Sequence, residues 1–151
     1  MEKKLIEYMK VYLNHSENLH FIANVRDFTD IHTDEPESFH GTNKGPSPVE
    51  YFLIGIGGCI GSTFVFCCKK NNIEIEDISV IIDGIITHKE ERENLLQFDR
   101  IEGKIDFIPK NVSKDEIAIK SCIKDFQKYC VVSNSIQQGI PMNVQVNWKQ
   151  K

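Results

Sequence analysis

The chain has 151 residues, 40% of them hydrophobic and 26% charged, which are the proportions of one globular domain spanning 1–151. Its formal net charge of −4 leaves no basic surplus to hold a phosphate backbone, so nucleic acid is not expected as a partner. Five cysteines make an odd count and no pair has C-x-x-C zinc spacing, which argues against a disulfide-stapled scaffold and for free thiols.

The first residues, Met1-Glu-Lys-Lys-Leu-Ile-Glu-Tyr8, interleave charges with apolar side chains. A secretory leader needs an uninterrupted apolar stretch after its basic start, so the expectation is a cytoplasmic protein with reduced thiols. Met9, Val11 and Leu13 then alternate with Lys10, Tyr12 and Asn14, and Leu19, Phe21, Ala23 and Val25 with His20, Ile22 and Asn24. Period two with one wet face predicts antiparallel strands, joined by turn residues over Asn14–Asn18. A third strand is predicted from Phe28 to Thr33, ending at Asp34-Glu-Pro36.

The stretch from His40 to Pro48 is dense in turn formers and leads into a helix. Ser47 is a suitable N-cap, Pro48 takes the first helical position and Glu50 falls three residues after the cap. The helix should run to Lys70, with Asn71-Asn72 as its stop. From Tyr51 to Cys68 it carries no charge, which meets the length of a membrane span. Its glycines, Ser62 and Thr63 weaken that reading, and a buried central helix is expected instead. Gly55, Gly57, Gly58 and Gly61 do not fit G-x-G-x-x-G and follow a proline-rich turn, not a strand, so no dinucleotide site is expected. Gly57 and Gly61 share a face suited to close packing.

Ile78–Thr87 and Leu95–Ile108 read as the arms of a long hairpin around a polar turn at His88–Asn94. Pro109 ends it, and Ser113-Lys-Asp-Glu116 spells a second capping box. Ile119, Cys122, Ile123, Phe126 and Cys130 follow a helical stripe, placing Cys130 on an apolar helix face. A short helical piece is expected after Ser133, and Ile140, Met142, Val144, Val146 and Trp148 alternate as a closing strand. Strands, long helix, hairpin, second helix and last strand make an α+β chain.

Gly45-Pro-Ser-Pro-Val-Glu50 followed by Gly57-Gly-Cys59 resembles the signature of the OsmC/Ohr family (osmotically inducible protein C and organic hydroperoxide resistance proteins). Tyr129-Cys130-Val-Val-Ser133 is similar to the family's second cysteine motif, and Asp34-Glu-Pro36 to the end of its N-terminal sheet. The resemblance implies antiparallel sheets around a cysteine-bearing central helix, in an intertwined homodimer whose two cysteines meet at the subunit interface. It also implies reduction of small organic hydroperoxides: Cys59 becomes a sulfenic acid, Cys130 condenses with it to a disulfide, and a dithiol resets the pair. No cofactor, metal or membrane is called for.

Such chemistry needs a cation beside the reacting sulfur. Cys59 lies about three turns into its helix, beyond the reach of the N-terminal dipole. The resemblance assigns that cation to Arg26 in the N-terminal sheet, oriented by a bidentate pair with Glu50. Glu50 has a sufficient alternative task as a capping residue, and Arg26 could pair with Asp27 or Asp30 at the surface. Phe64 and Met142 are expected to favour an alkyl peroxide, and Cys67, Cys68 and Cys122 to be core or bystander thiols. Two residues depart from the peroxidase branch: Val49 directly follows Pro48 where glutamate is usual, which rotates the carboxylate of Glu50 by about 100° around the helix, and Val131 replaces a proline after Cys130. The competing expectation is a dimeric OsmC-like protein that binds a ligand or senses redox state without turnover. A thiol-dependent hydrolase or sulfur carrier is a third.

Overall fold

A computed structural model describes residues 8–147, with the side chains of residues 112–115 outside that description. The chain divides into two compact units, Met1–Phe52 and Leu53–Lys151, with the division inside the first turns of the long helix.

The first unit is a three-stranded antiparallel sheet of β1 (Tyr12–Glu17), β2 (His20–Val25) and β3 (Phe28–Thr33), in that order. β1 starts three residues later than the alternation from Met9 suggested and runs through most of the expected turn. The reason is that the turn needs only Asn18 and Leu19. Asn18 takes the left-handed conformation (φ 46°), which asparagine tolerates, and Glu17 pairs directly with His20. The buried positions of β2 are His20 and Ala23; Leu19, Phe21 and Val25 are not buried, and the pairing with β3 shifts register between Ala23 and Val25.

Beyond β3, the buried carboxylate of Asp34 organises the loop that delivers the helix. It accepts the N–H of Glu35 at 2.8 Å, the Thr42 hydroxyl at 2.6 Å and the N–H groups of Thr42 and Lys44. The Thr42 hydroxyl, against the opposing effect of burial, and the backbone donors together hold Asp34 below the ordinary aspartate range.

Helix α1 covers Pro48–Lys70, as the sequence predicts. Its start is a reciprocal capping box. The N–H of Ser47 donates to the Glu50 carboxylate at 2.7 Å, and the N–H of Glu50 donates to the Ser47 hydroxyl at 3.3 Å. Its end is a Schellman turn, with Asn72 left-handed (φ 56°), its N–H on Lys69 O, and the N–H of Ile73 on Cys68 O at 2.9 Å.

The second unit packs the remainder of α1 on a two-stranded hairpin, β4 (Ile75–Lys89) and β5 (Leu95–Pro109). The approach is close at the paired glycines. A methyl group on Gly57 would sit 3.0 Å from Ile82 Cγ1, and one on Gly61 would sit 3.1 Å from Val80 Cγ2. Phe64, Cys68, Ile73, Cys122 and Phe126 form the core, with Phe64 edge-on to Phe107 and Phe126 at ring distances of 4.8 and 5.2 Å. α1 is long and apolar enough to cross a membrane, and it is not buried all round as expected. The hairpin covers one face, while Ile54 and Phe66 remain exposed on others.

Helix α2 (Val112–Asp125) starts at Asn111, so the capping serine expected at Ser113 falls inside its first turn, where side chains are not described. A tighter 3-10 turn (Phe126–Tyr129) follows, and then α3 (Val131–Gln138). Cys130 therefore lies between helices and not on the apolar face of one. The predicted closing strand is not formed among the described residues. Residues 140–147 form no regular element and no ladder, with Met142 86% and Val146 88% exposed; Trp148 lies outside the described residues. Alternation provides a face, but a strand also needs a free sheet edge to bond.

Candidate functional site: the Cys59–Cys130 thiol pair

Cys59 sits on the twelfth residue of α1, and Cys130 is the N-cap of α3 with extended backbone. Although 71 positions apart, their sulfurs stand 3.1 Å apart within one chain, Cys130 Sγ donating to Cys59 Sγ. Both are free thiols. Cys59 is half-buried and reachable from solvent; Cys130 is fully buried.

The surroundings of Cys130 follow from its place at a helix start. Its sulfur is 3.0 Å from Ser133 Oγ, at the third position of α3, and faces the N–H groups of Val132 and Ser133. Burial pushes the thiol up, but the Ser133 hydroxyl, Cys59 and the two backbone donors outweigh it, so Cys130 is held below the ordinary thiol value. The sequence points to a thiolate-stabilising environment at Cys59 and to Cys130 on a packed helix face, and Ser133 is not marked for this role. No local signal marks it, because cysteine is not a usual N-cap and serine three residues on does not complete a capping box. Val131 occupies the first helical position, where proline is also accommodated, so that departure from the family pattern leaves the helix start intact.

The two residues expected to activate the site are not joined. Arg26 lies in the β2–β3 turn with positive φ (53°), exposed, its guanidinium 5.0 Å from the Phe28 ring centroid. Neither a pair with Glu50 nor one with Asp27 or Asp30 forms among the described residues. The Glu50 carboxylate is already engaged by the N–H of Ser47, then by the Ser47 side chain, and is held below the ordinary glutamate range by them. Val49 at the second helical position puts Glu50 on the capping site, where the N–H of Ser47 occupies one of its oxygens.

Reached from Cys130 through Ser133 is a cavity of about 460 Å³ whose lining is mostly apolar and includes neither cysteine. Ile56, Ile60 and Phe64 of α1, Ile82 and Ile105 of the hairpin, and Phe126 line it. Ser133 belongs both to this lining and to the Cys130 contact. Phe64 is thus placed as expected, whereas Met142 is exposed and not among the lining residues.

Cys67 and Cys122 are not bystanders. They form a disulfide between α1 and α2, with Cα atoms 5.8 Å apart. Cys68 is a buried free thiol that desolvation pushes up, which fits the expected core role. No cluster of three or more metal-ligating side chains occurs among the described residues.

An antiparallel sheet, a long central helix and a cysteine pair brought together from distant segments define an α+β thiol protein. The family profile of OsmC-like proteins matches residues 41–145, and the chain belongs to that family. Its fold is shared with an OsmC-like protein from Mycoplasma pneumoniae (TM-score 0.70, 21% identity, 91% of this chain and 89% of that one). It is also shared with an organic hydroperoxide resistance protein from Elizabethkingia anophelis (TM-score 0.65, 14% identity, 89% and 91% covered). A third structure, an organic hydroperoxide resistance protein OsmC from Legionella pneumophila, aligns with TM-score 0.64 and 16% identity over 89% and 92% of the two chains. No curated protein matches the sequence.

Proposed function

We propose that the chain is a thiol-dependent peroxidase that reduces small organic hydroperoxides. Family membership and the hydroperoxide-resistance neighbours support a redox or peroxide-resistance role. The observation that carries the finer reading is the 3.1 Å pair of unlike thiols, one open to solvent and one buried with a lowered pKa.

In this reading the Cys59 thiolate attacks the outer peroxide oxygen, the O–O bond breaks, and the alkoxide leaves and takes up a proton as the alcohol. Cys59 is left as a sulfenic acid. Cys130, whose thiol is held below the ordinary value, attacks that sulfur as a thiolate, and hydroxide leaves with a proton as water. A small dithiol reduces the resulting disulfide and is itself oxidised. The division of labour follows exposure, since a peroxide reaches Cys59 before Cys130. The cavity favours an apolar substituent over hydrogen peroxide. Arg26, which pairs with no carboxylate among the described residues, is the cation proposed to support thiolate and leaving alkoxide.

The exposed apolar residues of α1 and the unpaired segment 140–147 support a homodimer. A reducing compartment such as the cytoplasm would supply the dithiol. The absent Arg26–Glu50 pair favours one alternative, an OsmC-like dimer that binds a ligand or senses redox state through the same thiols without turnover.

The test is mass spectrometry of the reduced protein after one equivalent of cumene hydroperoxide. A Cys59–Cys130 disulfide that forms rapidly, and is absent after Cys59→Ser or Cys130→Ser, is expected. Slow oxidation scattered over all five thiols would overturn the peroxidase reading and leave the sensing one.

A further inference from the structure

The disulfide between Cys67 and Cys122 is outside the chemistry described so far. Cys67 is eight residues beyond Cys59 on α1, about 12 Å at the helical rise of 1.5 Å per residue. That separation along α1 puts more than two turns between Cys59 and Cys67, and Cys67 is bonded within its own pair.

The two sulfurs differ in access. Cys122 is 1% exposed and belongs to the core with Phe64, Cys68 and Phe126, whereas Cys67 is half-buried at the end of α1. An external thiolate can therefore reach only Cys67, and Cys122 would be the leaving sulfur. A thiolate expelled into an apolar core is unfavourable unless a donor meets it. Asn71 provides one. Its side-chain Nδ2 is anchored on Cys67 O at 2.8 Å and donates to Cys122 Sγ at 3.4 Å and Cys67 Sγ at 3.7 Å. Cys68, next in the chain, is fully buried and its thiol is pushed up by desolvation, so it stays protonated and does not compete as a nucleophile.

We infer that Cys67–Cys122 is a second redox site of this protein, a reversible disulfide reduced by small dithiols through attack at Cys67. One thiolate of the dithiol attacks Cys67 Sγ, and the Cys67–Cys122 bond breaks. The Cys122 thiolate leaves, accepts the Asn71 hydrogen bond and is then protonated. The second thiol of the reductant attacks its own sulfur in the mixed disulfide and releases Cys67. The dithiol loses two electrons and two protons, and the two cysteines gain them. Oxidised dithiol drives the same steps backward. In a reducing compartment a disulfide that persists at all is transient, catalytic or sensing, and an accessible sulfur with a donor-stabilised leaving group fits that behaviour.

The experiment uses the full chain carrying Cys59→Ser, which removes the peroxide chemistry and makes the result independent of it. The protein is equilibrated in mixtures of reduced and oxidised dithiothreitol, and each cysteine is read by differential alkylation and mass spectrometry. The expected result is that Cys67 and Cys122 change state together and reversibly while circular dichroism shows the protein folded. Asn71→Ala should slow reduction about tenfold, the scale of one lost hydrogen bond of about 1.4 kcal/mol at a leaving sulfur, and Asn71→Ser should recover part of the rate. A bond that opens only on unfolding, or cysteines that remain thiols in oxidised dithiothreitol, would overturn the inference. So would a reduction rate unaffected by Asn71→Ala.

Discussion

Ser133 Oγ lies 3.0 Å from Cys130 Sγ, and both belong to the same helix start, Cys130 as the cap and Ser133 as its third residue. The hydroxyl lowers the cost of the Cys130 thiolate in a buried place where desolvation opposes it. Ser133→Ala removes the largest of the effects that lower the thiol, so the Cys130 pKa should rise toward the ordinary cysteine value. The measurement is the pH dependence of Cys59–Cys130 disulfide formation, whose midpoint should move to higher pH. The sign for stability follows from linkage. A thiol lowered on folding stabilises the native state above the unfolded thiol value, and that contribution is lost as pH falls through the lowered one. The Ser133→Ala protein should therefore lose stability relative to wild type mainly on the alkaline side. An unchanged midpoint would remove Ser133 from the site.

Glu50 and Arg26 separate under mutation if Glu50 only caps. Glu50→Gln retains the capping box, in which glutamine serves as well as glutamate, and should leave peroxide turnover within about twofold. Ser47→Ala should cost about 1 kcal/mol, seen as a lower denaturant midpoint. Because the Glu50 carboxyl is lowered on folding, its contribution is present at neutral pH and fades as pH falls through its lowered value; Glu50→Gln should abolish that acid-side dependence. Arg26→Ala should reduce turnover about 100-fold, the scale of one lost charge-stabilising group. Equal losses in Glu50→Gln and Arg26→Ala would mean that the two act together in the working assembly.

Gly57 lets α1 approach β4 so closely that even a methyl group there would stand 3.0 Å from Ile82 Cγ1, and a larger residue requires Ile82 or the helix to give way. Gly57→Leu should destabilise by about 1–3 kcal/mol through overpacking, measured by urea unfolding with an unchanged m-value. A neutral result would show that the helix can move outward without cost.

The Cys67–Cys122 bond closes a loop of 55 residues between α1 and α2. Replacing both cysteines with serine should lower stability by about 2–4 kcal/mol under oxidising conditions. The same variant compared with wild type in excess dithiothreitol should differ much less, because reduction has already removed the cross-link. A large difference under both conditions would trace the effect to core packing around Cys122 and not to the bond.

The parts legible in the sequence are those whose determinants are local. Ser47, Pro48 and Glu50 announced the start of α1, and Asn71-Asn72 its stop, because capping is settled within four residues. Gly57 and Gly61 announced a close face because helical period alone puts them together. Cysteine partnership was different. The family motifs paired Cys59 with Cys130, but nothing in spacing distinguished Cys67 and Cys122 from bystanders, since connectivity depends on how α2 crosses α1. Cys130 was misplaced because the chain tightens to a 3-10 turn over Phe126–Tyr129 and breaks the stripe that Ile119, Cys122 and Phe126 began. Arg26 and Glu50 were joined by family analogy, and the capping geometry at Ser47 claimed the carboxylate first.

The segment after Gly139 has the side-chain rhythm of a strand and no ladder of its own among the described residues. Water can satisfy its amides, but Met142, Val144 and Val146 then stay wet as well. Should a second copy provide the missing edge, the last step of folding is a collision and its rate is second order in chain. The fraction of finished molecules would then be set by abundance as much as by sequence. Dilution would act as a denaturant, and a modest rise in expression would lengthen the lifetime of every molecule already made.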